Sequence, residues 1–189
     1  MRTTNENDSV KLSTVHKKSL RLLFKPEKDK HMKITSPVFT EAQGIPTRYT
    51  CEGEDVSPPL QWGDLPEGAQ SLALIVEDPD APDPQAPKIL WIHWVLYNLP
   101  VTCQGLAENI APEQLPAGTC LGLTNWDNTR YGGPCPPIGR HRYFHRLYAL
   151  DTVLPVLKHP TAEALKAAMK GHILAEAVLM GNYQKKNPA

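Results

Sequence analysis

The order of apolar and polar residues along this chain predicts a protein built mainly from short β-strands. Residues 71–77 form an apolar run of Leu, Ile, Val and Ala that leads into an acidic, proline-containing turn, which is typical of a buried strand. Residues 91–98 and 141–150 predict two further strands, each ended by a turn signal. Shorter candidate strands cover three more segments: 46–50, 59–62 and 119–124.

One helix is predicted late in the sequence. Thr161 can cap its start, Leu165 and Met169 have helical spacing, and Gly171 fits its end. Residues 172–183 are rich in Ala and Leu, which favours a helix, but Gly171 separates them from the predicted helix, and we therefore favour a closing strand. The fold class that follows is mainly β, an antiparallel β-sandwich with one or two peripheral helices.

Strand alternation predicts which side chains share a face. In the strand 91–98, one face carries four residues: Trp91, His93, Val95 and Tyr97. In the strand 141–150, His141 and Tyr143 point the same way at a spacing of about 7 Å, which a phosphate-sized ligand can bridge. His145 lies further along this face, and we interpret it as a structural residue.

Composition limits the class of protein. The 189 residues suffice for one domain with a core, and 19 prolines disfavour long helices. No apolar run approaches the roughly 20 residues that a membrane span needs. Residues 1–31 carry eight Lys and Arg against four Asp and Glu, whereas residues 32–189 carry twelve against sixteen. This mildly acidic remainder argues against a nucleic-acid partner.

Residues 1–31 are polar and basic, without helical or strand periodicity. This pattern predicts a flexible basic extension before a domain of residues 32–189. We favour Met32 as the true start of the protein; the alternative is that residues 1–31 are a weak amphipathic targeting segment. No secretory signal is recognised, so the predicted location is the cytoplasm, with free thiols at four positions: Cys51, Cys103, Cys120 and Cys135. If the protein were exported instead, three disulfide connectivities would be possible, and the sequence does not choose among them. The spacing of the cysteines contains no Cys-x-x-Cys motif, which leaves metal ribbons unsupported.

Candidate chemistry concentrates in two segments that lie far apart along the chain. Asp78 and Asp80 are open to three interpretations: a general acid–base pair, metal ligands, or turn residues that bind their own backbone. The glycines and prolines before His141 can present backbone N–H groups to an anion. A nucleophilic Cys135 is a weaker alternative, since it needs both a base and an oxyanion site and only the base is plausible. A zinc site of His93, His141 and one aspartate is also weaker, since no spacing supports it.

These segments contain motifs in a specific order: Asp78-Pro79-Asp80-Ala81-Pro82, Trp91-x-His93, Gly133-Pro134-x-Pro136-Pro137 and His141-Arg142-Tyr143. In this order they resemble the phosphatidylethanolamine-binding protein family, in the bacterial branch known as Raf kinase inhibitor-like proteins. The likeness runs from about Met32 to Tyr183. It implies a β-sandwich with a small cavity for phosphate-type or carboxylate anions. Carried over by position, it implies eight ligand-binding residues: Asp78, Asp80, Pro82, Trp91, His93, Pro134, His141 and Tyr143.

Two features depart from the family pattern. Arg140 adds positive charge at the mouth of the implied cavity. Arg146 lies in the middle of a predicted core strand, where it needs a carboxylate partner or an exposed face.

The leading hypothesis is a non-enzymatic protein that binds a small anion of the phosphate or phospholipid-headgroup type, without cofactor or metal. The alternative is a hydrolase that uses an aspartate–histidine pair in the same cavity. The hypothesis also allows a protein partner, such as an enzyme that this protein regulates, and a homodimer. Eukaryotic relatives inhibit kinases or act in signalling, but similarity of the cavity alone does not transfer that role.

We also predict a cis peptide bond at Ala81–Pro82. Ligand affinity should rise as the pH falls from about 8 to 6, through histidine protonation.

Overall fold

Eight strands and one α-helix make up most of the regular structure in the computed structural model, which describes residues 31–186. In chain order the elements are β1 (Lys33–Thr35), β2 (Leu60–Gly63), β3 (Ser71–Asp78), β4 (Trp91–Pro100), β5 (Gly105–Leu106), β6 (Cys120–Leu121), β7 (Arg140–Leu150), α1 (Ala162–Met169) and β8 (Ile173–Gln184). Two short 3₁₀ turns lie at Thr47–Tyr49 and Pro112–Gln114.

The strands form two sheets whose named pairs are all antiparallel. The larger sheet has the order β6-β4-β3-β7-β8, and the smaller has the order β1-β2-β5. The central strand β3 is buried at all eight positions, because the small sheet lies against one of its faces and α1 against the other. A strand covered on both sides needs a continuous apolar run rather than alternation, and residues 72–76 supply one.

Two apolar clusters hold these layers together. The larger lies between the sheets, where Trp62 and Leu106 of the small sheet meet Leu74 and Leu147 of the large one. The second packs Leu165 and Met169 of α1 onto the opposite face of the large sheet. The predicted antiparallel β-sandwich with a peripheral helix is confirmed.

Residues 172–183 form a strand rather than a helix. Side chains that face the core recur at every second position, as Ala177, Leu179 and Tyr183 show, and β8 pairs with β7 along nearly its whole length. The helix prediction is also confirmed, because the Thr161 hydroxyl accepts the N–H of Ala164 at 3.1 Å and Gly171 has a φ of +86°.

Two of the shorter strand predictions need correction. Residues 46–50 form a 3₁₀ turn over Thr47–Tyr49, in which the Thr50 N–H and hydroxyl both bond the carbonyl of Thr47. Of residues 119–124, only Cys120–Leu121 pair as a strand. The chain then turns towards the helix side, since Leu123 donates its N–H to the carbonyl of Pro160.

The predicted alternation in the strand 91–98 is wrong, because β4 contains an irregularity at His93. Val76 lies opposite Trp94 and Glu77 lies opposite Ile92, which leaves His93 as an extra residue in the register. Such a bulge shifts the side chains that follow it to the other face, here as far as a second irregularity opposite Leu72–Leu74. Val95 and Tyr97 therefore pack on the helix side of the sheet.

The prediction for the extension 1–31 falls outside the described residues, except at His31. Within residues 31–186, no helix is long and apolar enough to cross a membrane.

Candidate functional site

A cavity of about 560 Å³ opens at the end of the large sheet where β3 finishes and β4 and β7 begin. Six of the eight predicted ligand-binding residues line it: Asp78, Pro82, Trp91, His93, His141 and Tyr143. The predicted meeting of His93, His141 and Tyr143 in one cavity is therefore found. The peptide bond between Ala81 and Pro82 in its wall is cis, as predicted.

Asp78 and His141 form a buried pair at the base of this cavity. The Nδ1 of His141 lies 2.7 Å from Asp78 Oδ2, and its Nε2 donates to the carbonyl of Ile138 at 3.0 Å. A carbonyl oxygen only accepts, so one proton resides on Nε2 and a second is shared between Nδ1 and the carboxyl. The pair is electrically neutral wherever that second proton lies. Loss of hydration on burial raises the pKa of Asp78, opposed by its bond to His141.

His93 presents an acceptor to the cavity. Its Nδ1–H donates to the carbonyl of Gly132 at 2.7 Å, and burial lowers its pKa to about 4. The ring is therefore neutral near pH 7, and its Nε2 carries a lone pair. Among residues 31–186 no group bonds this buried Nε2. The predicted protonation of His93 between pH 8 and 6 finds no support, because desolvation disfavours the imidazolium.

Tyr143 presents a donor beside that acceptor. The ring centroids of Tyr143 and His93 are 5.2 Å apart, and the Tyr143 hydroxyl is buried with no hydrogen-bond partner by geometry in the described part of the chain, although the Asp78 carboxyl lies near it. Burial, with the carboxyl of Asp78 adding to it, raises the pKa of Tyr143 above its ordinary value. The hydroxyl therefore keeps its proton at physiological pH and can donate it to a ligand.

Asp80 and Pro134 do not line the cavity. Asp80 accepts three bonds from Arg142, from its backbone N–H, Nε and Nη2, at 2.7–2.9 Å. The side-chain bond from Arg142 lowers the pKa of Asp80. Since the Asp80 N–H also donates to Asp78 Oδ1, the turn fixes the start of β7 and the Asp78 carboxyl together. Of the three interpretations of these aspartates, this geometry matches the turn.

The segment 132–139, here called the 132–139 loop, forms one wall. We expected its N–H groups to be offered to an anion, but the Gly132 and Gly133 N–H groups donate to the carbonyl of His93 and to Asp55 Oδ1. The loop instead directs two carbonyls, those of Gly132 and Ile138, at the two histidines.

The prediction of four free thiols is wrong at two positions. Cys51 and Cys135 form a disulfide, with Cα atoms 5.4 Å apart, and Cys135 lines the cavity. The two residues are 84 positions apart, so no local spacing could reveal the bond. Cys103 and Cys120 are free. A disulfide-bonded Cys135 is not a thiolate, which removes it as a nucleophile.

The two unusual residues of β7 behave as structural groups. Arg146 bonds Glu77 at 2.6 Å and Glu176 at 2.8 Å, which confirms the expected carboxylate partner. His145 is buried against Phe39 at 5.5 Å between ring centroids, away from the cavity.

Several cavity residues were missed by the sequence argument. Trp126 lies 5.2 Å from the His93 ring and 5.4 Å from Trp91, both edge to face, and Lys88 and Ile89 lie at the mouth. Trp126 belongs to a segment without strand pattern, so the only available signal was an aromatic residue in a polar loop.

The lining is otherwise apolar and contains little fixed charge. Lys88 is its one cation with a full charge among the described lining residues. Within residues 31–186, no group of three or more His, Cys, Asp or Glu side chains could hold a metal ion, and the zinc alternative finds no support there. The cavity can thus offer a ligand one donor, one acceptor, aromatic walls and a lysine at its mouth.

Comparison with known proteins gives a consistent result. The family model described as phosphatidylethanolamine-binding protein matches residues 35–184. A protein of Methanothermobacter thermautotrophicus, named UPF0098 protein, is 46% identical over 155 residues, which is 82% of this chain and 99% of the relative. A UPF0098 protein of Chlamydia pneumoniae is 47% identical over 154 residues, with the same shares covered. Relatives thus come from archaea as well as bacteria.

Solved structures agree with this assignment. A phosphatidylethanolamine-binding protein homologue of Chlamydia trachomatis aligns with a TM-score of 0.75 at 43% identity, over 83% of this chain and 99% of that one. Escherichia coli YbcL, described as a member of the mammalian family, aligns with a TM-score of 0.74 at 29% identity, over 82% and 99%.

Proposed function

This chain belongs to the phosphatidylethanolamine-binding protein family, and from that premise we propose that its cavity binds a phosphate group that brings a hydrogen-bond donor with it. The single observation that carries the proposal is the pair of buried, unpartnered atoms His93 Nε2 and Tyr143 Oη, as far as residues 31–186 extend. A buried polar atom without a partner costs free energy that a ligand can recover.

The ligand must complement both atoms. The Tyr143 hydroxyl donates to an anionic oxygen, whereas neutral His93 accepts and would repel a fully deprotonated oxygen. A phosphate monoester with one proton, HO–PO₂⁻–OR, supplies both partners. The positive charge of Lys88 at the mouth attracts the negative charge of such a ligand, and the neutral Asp78–His141 pair does not repel it.

Two sources could supply this chemistry. A free phosphate monoester provides the donor as P–OH, and a phospholipid headgroup, which is a diester, provides it only as an ammonium or hydroxyl group elsewhere in the headgroup. The two differ in pH dependence. A monoester gains its second proton near a pKa of about 6, whereas a diester does not titrate in this range.

We still predict that ligand affinity rises as the pH falls, but we now attribute this rise to protonation of the ligand rather than of the histidines. His93, with a pKa of about 4, does not titrate between pH 8 and 6. Monoester affinity should nevertheless rise on acidification, because the ligand itself becomes protonated.

The test is calorimetric titration of the protein with methyl phosphate, methyl sulfate and glycerophosphoethanolamine at pH 5.5 and 8. We expect methyl phosphate to bind at least tenfold tighter at pH 5.5, and methyl sulfate, which has no proton to donate, to bind weakly at both values. Glycerophosphoethanolamine binding that is independent of pH would point to the headgroup source. Methyl sulfate binding as tightly as methyl phosphate would refute the proposal.

We propose binding rather than turnover, because both ring nitrogens of His141 are already bonded within the protein. His93 does have a free nitrogen, but its pKa of about 4 makes it a weak base near pH 7. A general base needs a free nitrogen to take a proton from water. The expected result with p-nitrophenyl phosphate and p-nitrophenyl acetate is no turnover above background. Hydrolysis that disappears in Asp78→Asn would establish the hydrolase instead. Regulation of an enzyme partner stays a prediction.

A further inference from the structure

The 132–139 loop orients both histidines of the cavity through its backbone. The carbonyl of Gly132 bonds His93 Nδ1, which leaves the lone pair of Nε2 facing the cavity. The carbonyl of Ile138 bonds His141 Nε2, which directs the other ring nitrogen at Asp78. Between these two carbonyls, Cys135 and the two following prolines form part of the cavity wall. The position of this loop therefore sets the hydrogen-bonding character of the site.

Beyond its backbone bonds to His93 and His141, the loop is tied to one short segment, residues 51–55. The Cys51–Cys135 disulfide is the covalent tie. Two hydrogen bonds support it: the Cys51 N–H donates to the carbonyl of Pro134 at 3.1 Å, and the Gly133 N–H donates to Asp55 Oδ1 at 2.7 Å. Asp55 is exposed, so water competes for its bond.

Both cysteines of the disulfide are exposed, which gives a thiol reductant access to them. Breaking this bond removes the covalent tie from the middle of the loop and leaves only hydrogen bonds, those to residues 51–55 and those to His93 and His141. The loop is then held less firmly, and so are the carbonyls of Gly132 and Ile138 that orient the two histidines.

We propose that the Cys51–Cys135 disulfide is a thiol-responsive control of the cavity, with ligand binding strong in the oxidised protein and weak in the reduced one. A dithiol reductant attacks the disulfide and, after exchange, leaves as its own cyclic disulfide. Two electrons and two protons pass to the protein, which then holds two Cys thiols. This inference rests on the proposed function, because it concerns the regulation of the same site.

The experiment compares methyl phosphate binding at pH 5.5 in oxidised protein with protein first reduced by dithiothreitol at pH 8. Reduction should weaken binding at least tenfold, reoxidation should restore it, and Cys51→Ser/Cys135→Ser should match the reduced protein. The matched control is Cys103→Ser/Cys120→Ser, which alters the two free cysteines and should respond to dithiothreitol like the wild type. Circular dichroism confirms that each form is folded. If Cys51→Ser/Cys135→Ser does not fold, the test rests on the wild type, whose affinity should fall on reduction and return on reoxidation.

Failure of this inference and failure of the proposed function are distinguishable. Equal methyl phosphate affinity in oxidised and reduced protein would overturn the control and leave the binding function standing. So would thiol titration of untreated, denatured protein that finds four thiols. If the oxidised protein does not bind methyl phosphate, the proposed function fails, and tryptophan emission then tests the loop. Trp126 lies beside Cys135 in a neighbouring surface depression, so reduction should shift its emission, and unchanged emission would overturn the inference.

Discussion

Glu77 and Asp78 are neighbours on β3, yet their side chains lie in two different regions. In one region the buried polar groups are paired, and in the other some of them have no hydrogen-bond partner. On the helix side, Glu77 bonds Arg146 and Lys166 at 2.6 Å each, and Arg146 also bonds Glu176; we call these four residues the Glu77 cluster. On the cavity side, Asp78 is equally well bonded, but His93 Nε2 and Tyr143 Oη are not, among residues 31–186. Buried charge is therefore a poor guide to function here, and unsatisfied polar atoms beside an open space are a better one.

His145 sharpens this contrast. Like His93, it is buried with a pKa lowered to about 4, and neither of its ring nitrogens has a hydrogen-bond partner by geometry in the described chain. Unlike His93, it packs inside the protein against Phe39 and does not line the cavity. An unpartnered atom indicates a ligand only where a ligand has room to reach it.

The largest expected effect is acid destabilisation through these two histidines. Their pKa is about 4 in the folded protein and about 6.5 in the unfolded chain, so the unfolded chain binds protons first as the pH falls. Their contribution is fully present above about pH 6.5 and is lost towards pH 4, by about 3 kcal/mol each. The lowered pKa of Asp80 acts in the same direction, and the raised pKa of Asp78 acts against it.

Urea unfolding at pH 7.5 and 4.5 measures this loss. His145→Leu should remove about half of this loss. A free energy of unfolding that is the same at both pH values would contradict the assignment of both histidines as neutral in the folded state.

The next effect concerns the Glu77 cluster. Glu77→Ala leaves Arg146 and Lys166 without their buried partner and should cost about 3 kcal/mol of unfolding free energy. Glu176→Ala is the matched control, because this half-exposed carboxylate bonds the same arginine and should cost less than about 1 kcal/mol. Methyl phosphate affinity should stay within about twofold in both variants. A large loss of affinity in Glu77→Ala would mean that the two faces of the sheet are coupled.

The smallest expected effect on stability comes from Tyr143→Phe, and its comparison with Tyr97→Phe distinguishes a ligand-binding hydroxyl from a structural one. Tyr143→Phe removes a hydroxyl without a partner and should weaken methyl phosphate binding about tenfold, while unfolding free energy stays equal or rises by up to about 1 kcal/mol. In Tyr97→Phe the lost hydroxyl both donates to the carbonyl and accepts from the N–H of Leu157, at 2.8 Å each. That variant should lose about 1–2 kcal/mol of stability and keep its affinity. The reverse pattern would show that Tyr143 is a structural residue.

Local pattern was sufficient where one segment decides its own conformation. The apolar run of β3 and the capped helix after Thr161 were predicted. The shared face of His141 and Tyr143 was also predicted, because β7 pairs with β8 without a shift from Arg140 to Ala149. The same reasoning failed at His93, where the strand holds one residue more than its partner. Only the register of two paired strands reveals such a bulge, and it moved Val95 and Tyr97 to the other face.

The sequence by itself therefore determined the fold class and the family, together with six of the thirteen residues that line the cavity, since apolar periodicity and motif order act through neighbours in the chain. The tertiary structure decided what those residues can do. It placed a carbonyl against His93 and another against His141, joined Cys51 to Cys135 and gave Arg146 its carboxylate partners. Protonation, tautomer and hydrogen-bond satisfaction depend on burial and on groups from distant parts of the chain, which meet only once the sheets have packed.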